Sequence, residues 1–192
     1  MSEYEYFHAG SFCVYYGQDG AQTVVMVIER GSVFAGKSEG FGTAGGYIDP
    51  QNREQPAEAA VRELGEEIRE PGGRPVIASV TPARLTPVAS GIDYSAGKSG
   101  TKYVGNNWHG YKCELIHGEV AAMNADPDYA TAAREACHNE VAHVYLKTPA
   151  ELVQAIESGH MKFAYPHEAH VVLAVAKSLL PDPLTPHYGY DL

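Results

Sequence analysis

The sequence predicts a single α/β domain, a sandwich built around a mixed sheet. Segments typical of strands are interspersed with a few helical segments along most of the 192 residues. Hydrophobic residues make up 44% of the chain, which is enough for a sizeable core and argues against disorder. We find no internal repeat and no obvious linker, so we expect one domain over residues 1–182 and a proline-containing C-terminal tail over residues 183–192.

The first predicted elements are strands separated by glycine-rich turns. Residues 11–16 are apolar and aromatic and predict a first strand, and residues 17–20 read Gly-Gln-Asp-Gly, which is typical of a turn. Residues 23–29 are rich in β-branched side chains and predict a second, largely buried strand. The glycine-dense residues 31–46 predict a loop, with a short strand over 43–48.

The middle of the chain predicts a helix, two strands and a long loop. Pro56 suits the first turn of a helix, which we expect to run to about Arg69. Residues 75–88 have room for one strand, and residues 111–120 predict another. Residues 89–107 are polar and rich in glycine and serine, so they predict a long exposed loop.

The last third predicts further helices and one strand. We expect a helix within residues 126–138 and a strand over 140–146. Thr148 is placed to cap the next helix, with Glu151 at the spacing of a capping box. Apolar residues at helical spacing over 166–180 predict a C-terminal helix.

An acidic run inside the first predicted helix is the most informative feature of the chain. Residues 62–67 read Arg-Glu-Leu-Gly-Glu-Glu, and the i, i+3, i+4 spacing brings Glu63, Glu66 and Glu67 to one helical face. Carboxylates at this spacing repel one another, and a hard cation such as Mg²⁺ or Mn²⁺ would remove the repulsion. The alternative is a solvated acidic face, which for the Glu-Glu pair alone is the simpler interpretation.

The residues before this run extend it into a longer pattern. Gly46 precedes Glu54, and Glu54 lies eight residues before Arg62. The segment 46–70 resembles the Nudix box of the Nudix hydrolases, in which a Gly and a Glu precede Arg-Glu-aliphatic-x-Glu-Glu at set spacings. Every specified position from Glu54 to Glu67 matches that pattern. The resemblance implies a Nudix-like α/β/α sandwich with a central mixed sheet over roughly residues 8–180.

The sequence departs from the family pattern in two places. The segment between Gly46 and Glu54 is two residues longer than in the family, and Arg69 and Glu70 stand where the family has Gly and an aliphatic residue. The helix therefore has no glycine stop until residues 71–73, Pro-Gly-Gly. Neither departure affects the three carboxylates.

The resemblance implies a divalent-metal-dependent hydrolase that cleaves a pyrophosphate bond in a nucleoside diphosphate linked to another moiety. ADP-ribose or a nucleotide sugar is the first guess for the substrate. Glu63, Glu66 and Glu67 would hold Mg²⁺ or Mn²⁺, and the Gly46 carbonyl would add an oxygen ligand. The alternative is a catalytically silent Nudix-fold protein that binds nucleotides or has a regulatory role.

The resemblance also implies a catalytic base and an orienting pair. The resemblance implies that Glu66, Glu67 or Glu140 acts as the catalytic base, although a solvated glutamate at the start of a strand is the alternative for Glu140. Arg62 and Glu54 would form an orienting pair that pins the preceding loop to the helix.

Aromatic residues near the end of the predicted loop are weaker candidates. Tyr103, Trp108 and Tyr111 could stack on a base or a sugar of the substrate. Packing in the core, or at its rim, is an equal alternative for these three side chains.

Composition narrows the range of partners. The net charge of −10, without any basic block, argues against a nucleic-acid polymer as partner but leaves a small phosphorylated nucleotide open. The sequence predicts no signal segment and no membrane span. Three cysteines without paired spacing fit a reducing cytoplasm. A homodimer is left open.

Two other patterns compete with this interpretation. Residues 31–38 match the P-loop pattern GxxxxGK[ST], but the glycines that follow exclude the helix a P-loop requires. His167 and His170 are spaced i, i+3 rather than the i, i+4 of a zinc metalloprotease, and His138 and His143 would lie on opposite faces of a strand. We therefore predict structural or surface roles for the histidines.

Overall fold

The structure is a computed structural model. It describes residues 4–31, 39–69, 74–95, 103–125 and 140–181. The predicted helix within 126–138, the predicted tail and most of the P-loop-like segment lie outside these residues. The strands of the described residues are β1 (Tyr4–Asp19), β2 (Gln22–Arg30), β3 (Phe41–Gly42), β4 (Ala44–Tyr47), β5 (Thr86–Ser95), β6 (Tyr103–Leu115) and β7 (Val141–Lys147). The helices are α1 (Pro56–Glu67), α2 (His117–Ala125), α3 (Pro149–Glu157) and α4 (Pro166–Ser178).

The seven strands named above form one mixed sheet. Its order is β3-β2-β1-β6-β5, with β4 also paired to β1 and β7 also paired to β2. The long central pair, β1 with β6, is parallel, and the other pairs are antiparallel. The predicted mixed sheet is therefore confirmed.

Helices cover both faces of this sheet, and alternation along β1 shows why. Cys13 and Tyr15 pack with Leu64 of α1 in one buried cluster, to which α2 also contributes. Phe12 and Val14 pack in a second cluster with residues of α3 and α4. Because both faces of the strand are buried, successive residues are apolar, whereas a half-exposed strand would alternate apolar and polar residues. The result is an α/β/α sandwich.

A glycine-rich segment fills a split between the two N-terminal strands. β1 and β2 pair directly over Tyr16–Asp19 of β1, and the two strands diverge on the N-terminal side of Tyr16. In the gap, β3 pairs with β2 and β4 pairs with β1. Residues 41–47 thus continue the sheet and lie directly beneath α1. This arrangement agrees with the strand predicted over 43–48.

The structure corrects several predicted elements. Residues 17–19 belong to β1 rather than to a turn, and the turn is at Gly20–Ala21. The long exposed loop predicted over 89–107 is wrong, because β5 and β6 pair antiparallel there from Thr86↔Lys112 to Ser95↔Val104. The strand predicted over 75–88 is largely irregular, with a 3₁₀ turn at Pro82–Arg84. The strand predicted over 111–120 ends at Leu115, and α2 follows it.

The remaining predicted elements that fall on described residues are confirmed. The second strand, the strand β7 and the helices α1 and α4 lie where their patterns place them. Thr148 caps α3, accepting a hydrogen bond from the Glu151 N–H at 3.3 Å, while its own N–H donates to the Glu151 carboxylate at 3.0 Å. Among the described residues, no helix has both the length and the apolar character needed to cross a membrane.

Candidate active site

The helix α1 begins with a cap and is fixed to the sheet by its first turns. Pro56 occupies the first turn, and the Gln55 N–H donates to the Glu58 carboxylate at 2.8 Å. The small buried side chains Ala59 and Ala60 let the helix approach β1 closely. There the Tyr15 hydroxyl donates to the Ala60 carbonyl at 3.3 Å. The carboxylate face of the helix is consequently turned toward β4.

Two of the predicted metal ligands lie against the glycines of β4. The Gly45 N–H donates to Glu67 Oε2 at 3.1 Å. Glu63 lies so close to Gly46 that a Cβ at that position would be 2.2 Å from Glu63 Oε1. Only glycine leaves room for this carboxylate. Glu66 is 47% exposed at the rim of the site.

Burial and mutual repulsion raise the pKa values of the two inner carboxyls. Burial raises the pKa of Glu67 well above its usual range, and the nearby Glu63 and Glu140 add to the effect. Burial also raises the pKa of Glu63, while the Arg62 guanidinium opposes the rise. The α1 face therefore concentrates negative charge that one arginine only partly offsets.

Arg62 contacts three carboxylates and a backbone carbonyl. Its Nε donates to Glu54 Oε1 at 2.8 Å, and its Nη1 donates to Glu63 Oε1 and to Glu66 Oε2, each at 2.8 Å. Its Nη2 donates to the Tyr47 carbonyl at 2.8 Å. The hydrogen bond to Arg62 lowers the pKa of Glu54. The structure thus brings the predicted pair Glu54–Arg62 together and ties it to β4.

The two additional residues before Glu54 are absorbed in a compact turn. Asp49 accepts hydrogen bonds from the Gln51 N–H at 2.8 Å and from the Asn52 side chain at 2.7 Å. Arg53 adopts a positive φ of 55° as the turn closes. Glu54 then accepts a hydrogen bond from the Asp49 N–H at 2.8 Å. The longer loop therefore leaves Glu54 within reach of Arg62.

A pocket of about 670 Å³ opens beside these residues. One wall carries the carboxylates Glu63, Glu66 and Glu67 of α1, and Glu140, the residue before β7, lines the same pocket. Trp108 also lines it, and it packs against the buried cluster on the α4 face of the sheet. Tyr111 does not line it, because it packs against the buried cluster on the α1 face of the sheet. The side chain of Tyr103 lies outside the described residues.

The opposite wall is a column of parallel rings that sequence reasoning missed. The His167 ring lies parallel to the Trp108 ring at a centroid distance of 5.0 Å and to the Tyr165 ring at 5.5 Å. Asp93 Oδ2 lies 2.5 Å from His167 Nδ1 and fixes the imidazole. Arg30 covers Tyr165, with its guanidinium carbon 5.2 Å from the ring centre. His167 is therefore a pocket residue, whereas the sequence predicted a structural or surface role.

A second missed residue is Glu168, a carboxylate that is only 6% exposed and lines the pocket from α4. The Thr43 N–H donates to its Oε2 at 3.2 Å. Burial raises its pKa to about 7, and Arg30 opposes the rise. The sequence carried a signal for this residue: Glu168 precedes the buried Val171, Val172 and Val175 at i+3, i+4 and i+7, which places it on the buried face of α4.

The donor set fits a hard divalent cation. Among the described residues, no group of three or more His, Cys, Asp or Glu side chains already forms a metal-binding cluster. The fit depends instead on chemistry: Glu63 and Glu67 are desolvated carboxylates, and Glu63 and Glu66 are held by Arg62 Nη1. Glu63, Glu66 and Glu67 would hold such a cation, and Glu54, bonded to Arg62 Nε, lies outside this set.

Comparison with known proteins supports the fold. No protein-family model and no curated protein sequence matches this chain. A NUDIX hydrolase from Alicyclobacillus acidocaldarius has a similar structure, with a TM-score of 0.57, 16% identity, and coverage of 89% of this chain and 91% of that chain. A mutT/nudix family protein from Listeria innocua gives a TM-score of 0.53 at 16% identity, covering 89% of this chain and 93% of that chain.

A third similar structure is that of a domain with a bound ligand. The NUDIX domain of Shewanella oneidensis NrtR, solved in complex with ADP ribose, gives a TM-score of 0.53 at 16% identity, covering 91% of this chain and 90% of that chain. At these identities the similarity defines the architecture. The chain has a Nudix-like α/β fold.

Proposed function

We propose that this protein is a divalent-metal-dependent hydrolase that cleaves a pyrophosphate bond in a nucleoside diphosphate linked to another moiety. One observation carries the proposal: a single pocket joins the carboxylate face of α1 to a wall of aromatic and amide side chains. The carboxylates suit a metal-bound diphosphate, and the second wall suits the organic groups attached to it. The fold of the similar structures supports the same class of reaction.

The residues of α1 would hold the metal and orient the site. Glu63, Glu66 and Glu67 would hold Mg²⁺ or Mn²⁺, with the Gly46 carbonyl as a further oxygen ligand. The bound cation would supply neutralisation of the phosphate oxygens and a lowered pKa for the attacking water. Arg62, held by Glu54, would keep β4 and the helix in register. Glu66, Glu67 and Glu140 are the base candidates that the sequence offers.

The aromatic wall offers ring edges rather than open ring faces. Arg30 covers one end of the column, and at the other end a Cβ on Gly91 would be 2.7 Å from the Trp108 ring. The 5.0 Å spacing between Trp108 and His167 leaves no gap for a third ring. The buried Trp108 Nε1 finds no acceptor among the described residues.

ADP-ribose or a nucleotide sugar is the substrate type that we propose first. These molecules pair a diphosphate with hydroxyl-rich groups, which matches the two walls. The similar NrtR domain binds ADP ribose in its solved complex.

A substrate panel tests the proposal. The protein is incubated with ADP-ribose, nucleotide sugars, dinucleoside polyphosphates and nucleoside triphosphates, with and without Mg²⁺, and the products are resolved by chromatography. We expect metal-dependent release of a nucleoside monophosphate from at least one diphosphate-linked substrate. No cleavage of any substrate, together with measurable nucleotide binding, would instead favour the catalytically silent alternative.

A further inference from the structure

Glu168 is a carboxylate of the pocket that the motif on α1 does not include. It belongs to the first turn of α4, on the face of the sheet opposite α1. Its Oε2 accepts the Thr43 N–H, and a Cβ on Gly42 would be 2.9 Å from that oxygen. Its Oε1 receives no hydrogen bond from the residues that the structure describes. A fixed carboxylate with one open oxygen therefore borders the pocket.

The same strand segment holds Glu67 from the other side of the sheet. Thr43 donates to Glu168, and Gly45, two residues further along, donates to Glu67. N–H groups two residues apart on an extended chain point in the same direction and are about 7 Å apart. The interaction is also electrostatic, since Glu168 contributes to the raised pKa of Glu67. Two carboxylates from opposite layers thus meet at one short segment.

Both carboxylates line the pocket, so a water molecule bound there can donate a hydrogen bond to Oε1 of Glu168. Of the three pocket carboxylates on α1, Glu63 and Glu66 are held by Arg62, and Glu67 is a proposed metal ligand. Glu168 is held in place without a direct hydrogen bond to any of these groups among the described contacts.

We propose that Glu168 is the general base of the hydrolysis, an assignment that rests on the function proposed above. Oε1 takes a proton from the attacking water while the water oxygen forms a bond to phosphorus. The bond between that phosphorus and the bridging oxygen breaks, and the leaving phosphate keeps the electron pair. Burial raises the pKa of Glu168 to about 7, opposed by Arg30 of β2, which suits proton uptake near neutral pH.

The test compares Glu168→Gln with a matched control, Glu114→Gln, an exposed glutamate on β6. Turnover of the best panel substrate is measured from pH 5 to 9, and Mn²⁺ affinity is measured by calorimetry. We expect Glu168→Gln to lower kcat at least about a hundredfold with KM within about threefold of wild type. The acidic limb of the kcat profile should disappear, and Mn²⁺ affinity should stay the same. The control should behave as wild type.

A chemical rescue adds a second variant. Glu168→Ala removes the carboxylate and leaves a cavity beside the pocket, into which formate can bring a carboxylate. We expect added formate to restore part of the turnover of Glu168→Ala and none of the turnover of Glu168→Gln. A merely structural role of the Glu168 side chain would give no such rescue.

The outcomes separate this assignment from the proposed function. Wild-type kcat in Glu168→Gln would overturn the assignment and leave the hydrolase intact. Loss of Mn²⁺ binding together with turnover would also overturn it, because Glu168 would then act as a metal ligand. If neither Glu168 variant folds, the Glu168 side chain is required for folding, and its assignment as general base is overturned. A wild-type protein that cleaves nothing in the panel would overturn both proposals.

Discussion

The contact between Gly46 and Glu63 allows a substitution whose effect on the site can be calculated. In Gly46→Ala the new Cβ would be 2.2 Å from Glu63 Oε1, whereas ordinary contacts begin at 3.4 Å. The carboxylate must therefore move by about 1 Å or more. Because it ends a flexible side chain, it can move without displacing the backbone. Misplacement of a catalytic group by about 1 Å costs on the order of a hundredfold in rate, or about 2.7 kcal/mol.

Two neighbouring glycines give matched controls for Gly46→Ala. At Gly45 a Cβ would be 2.4 Å from the Phe12 Cβ and 2.6 Å from the Ser11 carbonyl oxygen, so Gly45→Ala should lower stability. At Gly65, inside α1, the nearest contact is an ordinary 3.7 Å to Pro75, so Gly65→Ala should raise stability by about 1 kcal/mol through helix propensity. Gly46→Ala should change stability by less than about 1 kcal/mol.

The assay pairs thermal unfolding with turnover of the best panel substrate. We expect Gly46→Ala to unfold near the wild-type temperature, to lose about a hundredfold in kcat/KM and to bind Mn²⁺ more weakly. Wild-type turnover and Mn²⁺ affinity in this variant would refute the role of Glu63 as a metal ligand. A large loss of stability would show that the backbone, rather than the carboxylate, yields to the added methyl group.

Three further predictions concern the same site and one distant ion pair. Mg²⁺ or Mn²⁺ should raise the melting temperature by mass action, and calorimetry without any divalent binding, even with nucleotide present, would contradict the metal site. Arg62→Ala and Glu54→Ala should be non-additive in a double-mutant cycle on turnover, since each removes the same contact; strictly additive effects would exclude an orienting pair. Hydrogen bonds, first from Arg84 and then from Ser79 and the Ile116 N–H, lower the pKa of Glu119 to about 2 from its usual 4.5. This network therefore stabilises the fold above about pH 4.5 and loses its contribution as the pH falls toward 2. Because the Glu119 side chain is only 6% exposed, the whole shift is worth about 3 kcal/mol at neutral pH. In urea unfolding, Arg84→Met should lose part of this contribution near pH 7 and little near pH 2; a loss independent of pH would point to packing instead.

The parts of the site that depend on local spacing were predictable from the sequence. The face formed by Glu63, Glu66 and Glu67 follows from helix geometry alone, and α1 carries it as expected. The Glu54–Arg62 contact was also predicted, although the loop before it is longer than the family pattern. These residues are close in sequence, so tertiary packing had little scope to move them.

The second wall depends on contacts that span most of the chain. β6 carries Asn106, Asn107 and Trp108 along the pocket. The two consecutive asparagines interrupt the alternation of apolar and polar residues from which strands are predicted. His167 meets Asp93 across 74 residues, and Glu168 meets Thr43 across 125 residues. No local pattern encodes these contacts, because the packing of α4 on the sheet creates them.

The central position of β1 has a consequence for how the chain acquires its structure during synthesis. β1 is made before β6, its parallel neighbour, which follows roughly a hundred residues later. Pairings between such distant segments close slowly, since the intervening chain must be ordered before they form. Until β6 emerges, one long side of β1 presents unpaired N–H and C=O groups beside apolar side chains. A nascent chain stalled before residue 103 would therefore be a natural client for chaperones, and fragments ending there should aggregate where the full chain folds.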